Sequence, residues 1–363
     1  MNKLVMMTGG GTAGHVMPNL ALAEPLQVKG YRIGYIGRKN SIEERLVKEA
    51  GIAFYPISAG RLHRDFNMEN WITPWKNLKG TVQAAAILRR EKPSVVFCKG
   101  GFVSVPVAVA AHLAGIPVVL HESDITPGLA NRLCLPFADM VCVSFEETLP
   151  HISAGRDRKT KVVLTGTPIR EELTRGSRSQ GFAMTGLSPG KPVVLVMGGS
   201  SGARALNQVV GMAAAKLTRH YQVVHLCGRQ DAAKCKPRPG YFPMEYAGPE
   251  LAHLYAMADL VVSRAGANAL AEILLLEKPN VLIPLPRAVS RGDQILNARS
   301  FEKKGYSYVL PQEELTEESL QMALAAVWQS REKYAAALSS GNTGGQNGVR
   351  AVLRAIESTM NKS

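Results

Sequence analysis

Thr8-Gly9-Gly10-Gly11-Thr12-Ala13-Gly14-His15 follows the apolar run Leu4-Val5-Met6-Met7. Met197-Gly198-Gly199-Ser200-Ser201-Gly202-Ala203-Arg204 follows Val193-Val194-Leu195-Val196 in the same way. Each stretch reads as a buried strand, a glycine turn and the start of a helix. A glycine turn there lets backbone N–H groups approach a phosphate, and the helix N-terminus adds favourable partial charge. The turns lie roughly one domain length (about 100–200 residues) apart. They predict two similar α/β halves facing each other across a cleft, with a nucleotide on one side and an acceptor on the other.

The sequence outward from the turns repeats this pattern. In the first half, Arg32–Ile36, Val95–Cys98, Val118–Leu120 and Met140–Val143 read as strands. In the second half, Gln222–Leu226, Leu260–Ser263 and Val281–Pro284 do so. Helical stretches such as Pro18–Lys29 and Ser41–Ala50 lie between, and the alternation implies parallel, doubly wound, Rossmann-like sheets. Val162-Val163-Leu164 ends the first half, and Thr165-Gly166-Thr167-Pro168 reads as a hinge. The expected domains are therefore 1–164 and 165–345, with a last helix, 346–363, packing back onto the first. Gly176–Gly190 reads as a polar surface loop. The apolar stretch Gly101–Leu120 is interrupted by Pro106, His112 and Pro117, which favours a buried helix and strand over a membrane span.

The 363 residues carry 43 basic and 29 acidic side chains, a net charge of +14. Nucleic acid, an anionic membrane surface or a phosphorylated substrate could each explain that excess. The basic residues are scattered, without a long Lys/Arg block or a nucleic-acid motif, so no nucleic-acid partner is expected. The five cysteines form no CxxC, which argues for a reducing compartment and against a disulfide framework or a zinc site. The first apolar run stops at Thr8, too soon for a signal peptide. Arg61–Gly80 sets Trp71 and Trp75 among Arg61, Arg64, Lys76 and Lys79. That composition suits a membrane interface, or a surface helix whose tryptophans pack inward.

Gly9–Gly14 matches GxGxxG, a weak signal alone. A dinucleotide site also needs an acid at the end of the second strand to hold a ribose. Here that strand ends Ile36-Gly37-Arg38, and the first acids, Glu43 and Glu44, fall inside the next helix. This speaks against a nicotinamide cofactor, and no GxxxxGK[ST] is present. His15 closes the first turn, as a general base or as a residue that orients the loop. Asp259–Gly266 reads as a strand running into a turn before a helix. Glu272 would then face the cleft and accept both ribose hydroxyls, or simply sit where a helix start favours an acid. Arg291-Gly292-Asp293-Gln294 offers polar contacts to a sugar.

Seven motifs then occur in order. They are Gly10–His15, Lys99–Pro106 (KGGFVSVP), His121–Asn131 (HESD…PGLAN), Gly166–Arg170 (GTPIR), Gly198–Ala203, Ser263–Ala267 (SRAGA) and Gly292–Ala298. The set resembles the MurG family of N-acetylglucosaminyltransferases of peptidoglycan synthesis, over nearly the whole chain. The resemblance implies a GT-B fold, two Rossmann-like domains facing across a deep cleft. It implies inverting transfer of N-acetylglucosamine from UDP-N-acetylglucosamine to the muramyl 4-hydroxyl of lipid I, with no metal and no cofactor. The implied location is the cytoplasmic face of the bacterial membrane, bound peripherally to an anionic inner leaflet.

By resemblance, His15 is the candidate base. Gly10, Gly11, Thr12, Ala13 and Gly14 face the acceptor pyrophosphate, and Asn131 supports the acceptor side. Arg170, Ser200 and Ser201 contact the donor phosphates and sugar, and the Gly248 backbone lies beside uracil. Ala267, Asn268, Ala269, Leu270 and Ala271 line the nucleotide, Glu272 takes the ribose hydroxyls, and Gln294 contacts the sugar. Ala13, Phe102, Asp124 and Asp293 depart from the common pattern. Asp124 stands where some members carry an asparagine, and as an ionised carboxylate it only accepts hydrogen bonds, making it a second acid–base candidate. Other readings from the residues are a different UDP-sugar enzyme such as a 2-epimerase, an oxidoreductase, and a non-catalytic sugar-nucleotide binder.

Overall fold

The computed structural model describes residues 3–60, 69–153, 160–199, 203–342 and 348–361, without the side chains of 69–72 and 153. The chain divides into two compact units, 1–170 with 347–363, and 171–346. The first unit holds β1 (Leu4–Thr8), β2 (Arg32–Arg38), β3 (Ala53–Ile57), β4 (Val95–Cys98), β5 (Val118–Glu122), β6 (Met140–Val143) and β7 (Lys161–Leu164). They form one parallel sheet in the order β3-β2-β1-β4-β5-β6-β7. The second unit holds β8 (Val193–Met197), β9 (Gln222–Leu226), β10 (Tyr241–Met244), β11 (Leu260–Ser263), β12 (Asn280–Leu282) and β13 (Tyr308–Val309). These pair in parallel as β10-β9-β8-β11-β12-β13. Both units are Rossmann-like.

The sequence of β1 shows why this layering forms. Every residue of the strand is buried, as expected where helices cover both faces of a parallel sheet. Val5 and Met7 pack with Val16, Leu22 and Leu26 of the helix Ala13–Val28 and with Val352 and Ile356 of the C-terminal helix Gly348–Met360. Leu4 and Met6 point the other way, toward Ala84 and Leu88 of Glu69–Glu91 and Val107 and Ala111 of Ser104–Leu113. The period of two thus assigns alternate residues to opposite layers.

The strand orders also fix where ligands can bind. Order reverses between β1 and β4 in one sheet and between β8 and β11 in the other. The loops leaving such a pair diverge and open a crevice at the carboxyl ends of the strands. The first glycine turn emerges there after β1, and Gly198-Gly199 after β8.

Four local readings change. β3, β10 and β13 are strands that the sequence pattern missed. β3 and β10 carry Pro56 and Pro243 and form sheet edges, where proline is tolerated and apolar alternation is weak. β13, only two residues long, forms the other edge of the second sheet. Within Gly176–Gly190, read as a loop, residues Arg178–Thr185 form a helix. Ser177 Oγ accepts the Gln180 N–H at its start, and Gly186, at φ 66°, ends it. Among the described residues, no helix is long and apolar enough to cross a membrane.

Candidate active site

In the first unit, the first glycine turn is packed backbone against backbone. The Gly10 N–H donates to Gly100 O at 3.3 Å. A Cβ on Gly101 would lie 2.2 Å from Gly10 O, so only glycine fits. Glu43, 1% exposed, reaches beneath the turn from the helix Ile42–Glu49. Its Oε2 accepts the Gly11 N–H at 3.2 Å and its Oε1 the Arg38 N–H at 3.4 Å. The N–H groups of Gly10 and Gly11 are thus engaged within the fold. Sequence reading missed Glu43 because its job depends on a turn 32 residues away. Glu43→Gln sets an amide donor against a backbone N–H. It is expected to lower the stability of the first unit by about 1–3 kcal/mol in urea unfolding.

His15 lies in the first turn of Ala13–Val28, half-buried, and its N–H donates to Thr12 O at 3.1 Å. A Cβ built on Gly100 would lie 3.5 Å from His15 Nδ1 and 3.2 Å from Asn131 Oδ1, which brings His15 and Asn131 to the same side of that glycine. Asn131 is buried. Its Nδ2 donates to His121 O at 3.1 Å and Glu122 Oε2 at 2.9 Å, while Oδ1 has no partner among the described residues.

Glu122, at the end of β5, organises the 123–128 loop. Its Oε1 accepts the N–H groups of Ser123 (2.8 Å) and Asp124 (3.0 Å), and its Oε2 also accepts that of Gly128 (2.9 Å). Asp124 is thereby held by its backbone, and its carbonyl accepts from Thr148 Oγ1 at 3.2 Å. His121 Nε2 donates to Gly166 O at 2.9 Å. Burial, aided by the Lys99 charge, holds His121 well below the usual histidine range, so this ring is neutral. Lys99 is buried and donates to Ser123 Oγ.

In the second unit, Gly266 caps the helix Ala267–Leu275. Leu270 is fully buried and Ala267 nearly so. The side chain of Leu270 therefore faces the core, a correction to the expectation that all of Ala267–Ala271 line a nucleotide. Asn268 and Glu272, one helical turn apart, share a face. Buried Tyr255 donates its hydroxyl to Glu272 Oε2 at 2.9 Å. Burial and then the adjacent carboxylate push the Tyr255 hydroxyl well above its usual range, so it stays a donor.

Arg264, in the loop after β11, is structural: it donates to Ile283 O (2.9 Å) and Gln312 Oε1 (2.6 Å). Asn297 Nδ2 donates to Ala265 O at 3.3 Å and fixes the same loop. Gln294 Oε1 accepts the Leu285 N–H at 3.1 Å, and its Nε2 lies 4.0 Å from where a Cβ on Gly266 would stand. The Gly248 N–H donates to Glu250 Oε2 at 2.9 Å, so a pyrimidine would have to displace that contact to use it. Arg170 is the last residue of the first unit's main segment. Ser200 and Ser201 lie outside the described residues.

Among the described residues one group could hold a metal: His225, Cys227 and Cys235, with ligand atoms within 4.8 Å of one another. The fold brings these cysteines together although their spacing is not CxxC. His225 Nε2 faces Asn207 Oδ1 at 3.0 Å and Nδ1 faces the Tyr241 hydroxyl at 2.9 Å. A metal there would have to displace that hydroxyl.

The glycosyltransferase family 28 N-terminal domain matches residues 5–143, and the family's C-terminal domain matches 193–351. The chain is 47% identical over 356 residues to the UDP-N-acetylglucosamine–N-acetylmuramyl-(pentapeptide) pyrophosphoryl-undecaprenol N-acetylglucosamine transferase of Clostridium botulinum, covering 98% of this chain and 99% of that one. The crystal structure of Acinetobacter baumannii MurG is similar with a TM-score of 0.74 at 27% identity, covering 99% of this chain and all of that one (100%). A kitacinnamycin glycosyltransferase is similar in fold alone, with a TM-score of 0.73 at 18% identity over 98% of this chain and 97% of that one.

Proposed function

The chain belongs to glycosyltransferase family 28, and from that membership we propose that it transfers N-acetylglucosamine from UDP-N-acetylglucosamine to the muramyl 4-hydroxyl of lipid I. The observation that carries this reading is the near-full-length 47% identity to a transferase of that name. The acceptor oxygen attacks the anomeric carbon, the bond from that carbon to the UDP oxygen breaks, and UDP leaves with the electron pair. His15 takes the proton of the attacking hydroxyl, and Asp124 is the second candidate. The Thr12–Gly14 helix start receives the acceptor pyrophosphate, with Asn131 beside it. Arg170, Ser200, Ser201 and Gln294 serve the donor phosphates and sugar, and Glu272 the ribose. Displacement in line inverts the anomeric centre.

The deciding experiment is UDP release from UDP-N-acetylglucosamine, with and without a lipid I analogue, in EDTA. Acceptor-dependent release is the expected result. Donor binding without acceptor-dependent release would overturn the reading, and a donor-only product would indicate an epimerase.

The acceptor's lipid tail calls for a membrane contact, and the helix Glu69–Glu91 supplies a candidate. Trp75, Leu78 and Val82 are 72%, 58% and 65% exposed at helical spacing, flanked by exposed Lys76 and Lys79. Residues 61–68 and the Trp71 side chain lie outside the described residues. Trp75 and Leu78 should each gain about 1.5–3 kcal/mol when buried in an interface. Replacing both by serine is expected to weaken sedimentation with phosphatidylglycerol vesicles by tenfold or more while leaving UDP-N-acetylglucosamine affinity unchanged. Unaltered sedimentation would remove this helix as the membrane contact.

A further inference from the structure

His225 stands near the end of β9 and Cys227 just past it. Two residues apart on an extended segment, they turn to one face of the sheet. Gly228, at φ 74°, then reverses the chain, and the turn Ala232–Lys234 returns Cys235 to them. His225 and Cys227 are buried, while Cys235 is partly exposed and opens a path from solvent.

Hydrogen bonds fix which histidine nitrogen carries a lone pair. Asn207 Nδ2 donates to Cys227 O at 2.7 Å and to Asp231 Oδ2 at 3.0 Å, so its Oδ1 is an acceptor. His225 Nε2 therefore bears the proton and donates to that oxygen at 3.0 Å. Nδ1 is left as the acceptor, and the Tyr241 hydroxyl donates to it at 2.9 Å. A ring held by its far N–H on a carbonyl oxygen, with the other nitrogen basic, is oriented as metal-binding histidines are. The three ligand atoms lie within 4.8 Å of one another. Tetrahedral bonds of about 2.0–2.3 Å hold such atoms roughly 3.3–3.8 Å apart, so shifts of about 1 Å close the set. The Tyr241 hydroxyl that must yield Nδ1 also interacts with Cys235, and so stands between two of the ligands. Asp231, in the same loop, accepts from Asn207 and, at 3.1 Å, from Lys234, which leaves the fourth position to water.

We propose that His225 Nδ1, Cys227 and Cys235 bind one thiophilic divalent cation of the zinc class, which ties the 228–234 loop to β9. Two thiolates and an imidazole select such an ion over magnesium or calcium, which take oxygen ligands. Both thiols bind as thiolates and release their protons to solvent, while the displaced Tyr241 hydroxyl keeps its own. Metal binding here is independent of the transferase reading.

The test titrates the untagged, reduced full-length chain with Co2+, a zinc surrogate whose thiolate charge-transfer and tetrahedral ligand-field bands report its ligands. One equivalent is expected to bind with both bands, and Zn2+ to displace it. Cys235→Ser should weaken Co2+ binding by about tenfold or more and lower the charge-transfer band by about half. Tyr241→Phe removes the donor that occupies Nδ1 and should tighten binding by about threefold or more. On the wild-type chain, saturating Zn2+ should slow alkylation of Cys235 by about tenfold or more, a readout that needs no variant to fold. Absence of the thiolate band, unchanged affinity in Cys235→Ser, weaker or unchanged binding in Tyr241→Phe, or unslowed alkylation would overturn the proposal. So would a Cys227–Cys235 disulfide forming in place of metal uptake, which would assign the pair to redox chemistry.

Discussion

His15→Ala is expected to lower kcat for acceptor-dependent UDP release by about 10²–10⁴-fold, the range a positioned general base contributes. The donor KM should change little, because the imidazole is proposed to meet the attacking hydroxyl and not the nucleotide. The plainer role, orienting the glycine turn, predicts a different result. A loop-orienting side chain would register as lost stability, yet the turn is tied by its own backbone: Gly10 N–H to Gly100 O, Gly11 N–H to Glu43 and His15 N–H to Thr12 O. None of these bonds uses the imidazole. Alanine is also a strong helix former at this half-buried position, so the base role predicts a loss of kcat far larger than the change in urea unfolding, and the loop-orienting role the reverse. His15→Gln provides the control, since the amide can hydrogen-bond but cannot accept the proton. It should be nearly as inactive as alanine. Full turnover in either variant would transfer the role of base to Asp124, whose Asn substitution would then carry the large loss.

The parts of this molecule legible in the sequence are those whose signal is local. β1 up to Met7 and the whole of β8 are apolar runs that lead into glycine turns, because a strand covered on both faces needs little that is polar and the turn after it needs freedom of backbone. Edge strands such as β3 and β10 gave no such signal, since their half-exposed residues and Pro56 and Pro243 read as loop. The candidate site divides along the same line. Glu272 lies mid-helix behind such a motif, while His15, Asp124 and the glycine turns stand at strand ends or helix starts and can be found there. Glu43, Glu122, Lys99 and Tyr255 cannot, because each acts on a segment that only the strand order brings near. Glu43 reaches back from a following helix, Lys99 reaches from the end of β4 to that of β5, and Tyr255 reaches Glu272 from a separate helix. Leu270 shows the converse: a motif names a run of five residues, but the helical period turns one of them into the core.

Glu272→Ala is expected to raise the KM for UDP-N-acetylglucosamine, and the Kd for UDP, by roughly 10–100-fold, with a much smaller change in kcat. The ribose is remote from the bond that breaks, so a contact to it is equally strong in the ground and transition states and appears as binding. A hydrogen bond to a charged group contributes about 1.5–3 kcal/mol, which sets that range. The competing account, an acid favoured by the helix start, loses force in the structure. Glu272 is the sixth residue of Ala267–Leu275, and the first turn holds no acid. The helix dipole fades beyond that turn. Another account is a structural role that includes Tyr255, whose buried hydroxyl donates to Oε2. Glu272→Gln separates the two, because its amide oxygen still accepts from Tyr255 while its nitrogen offers the ribose hydroxyls a donor. The structural role predicts normal affinity in Glu272→Gln. The ribose role predicts near-normal stability with weakened UDP binding. A 2′-deoxy UDP should then bind wild type more weakly than UDP does, yet bind Glu272→Ala no worse than UDP, because the contact can be lost only once. Equal penalties in both proteins would take Glu272 off the ribose.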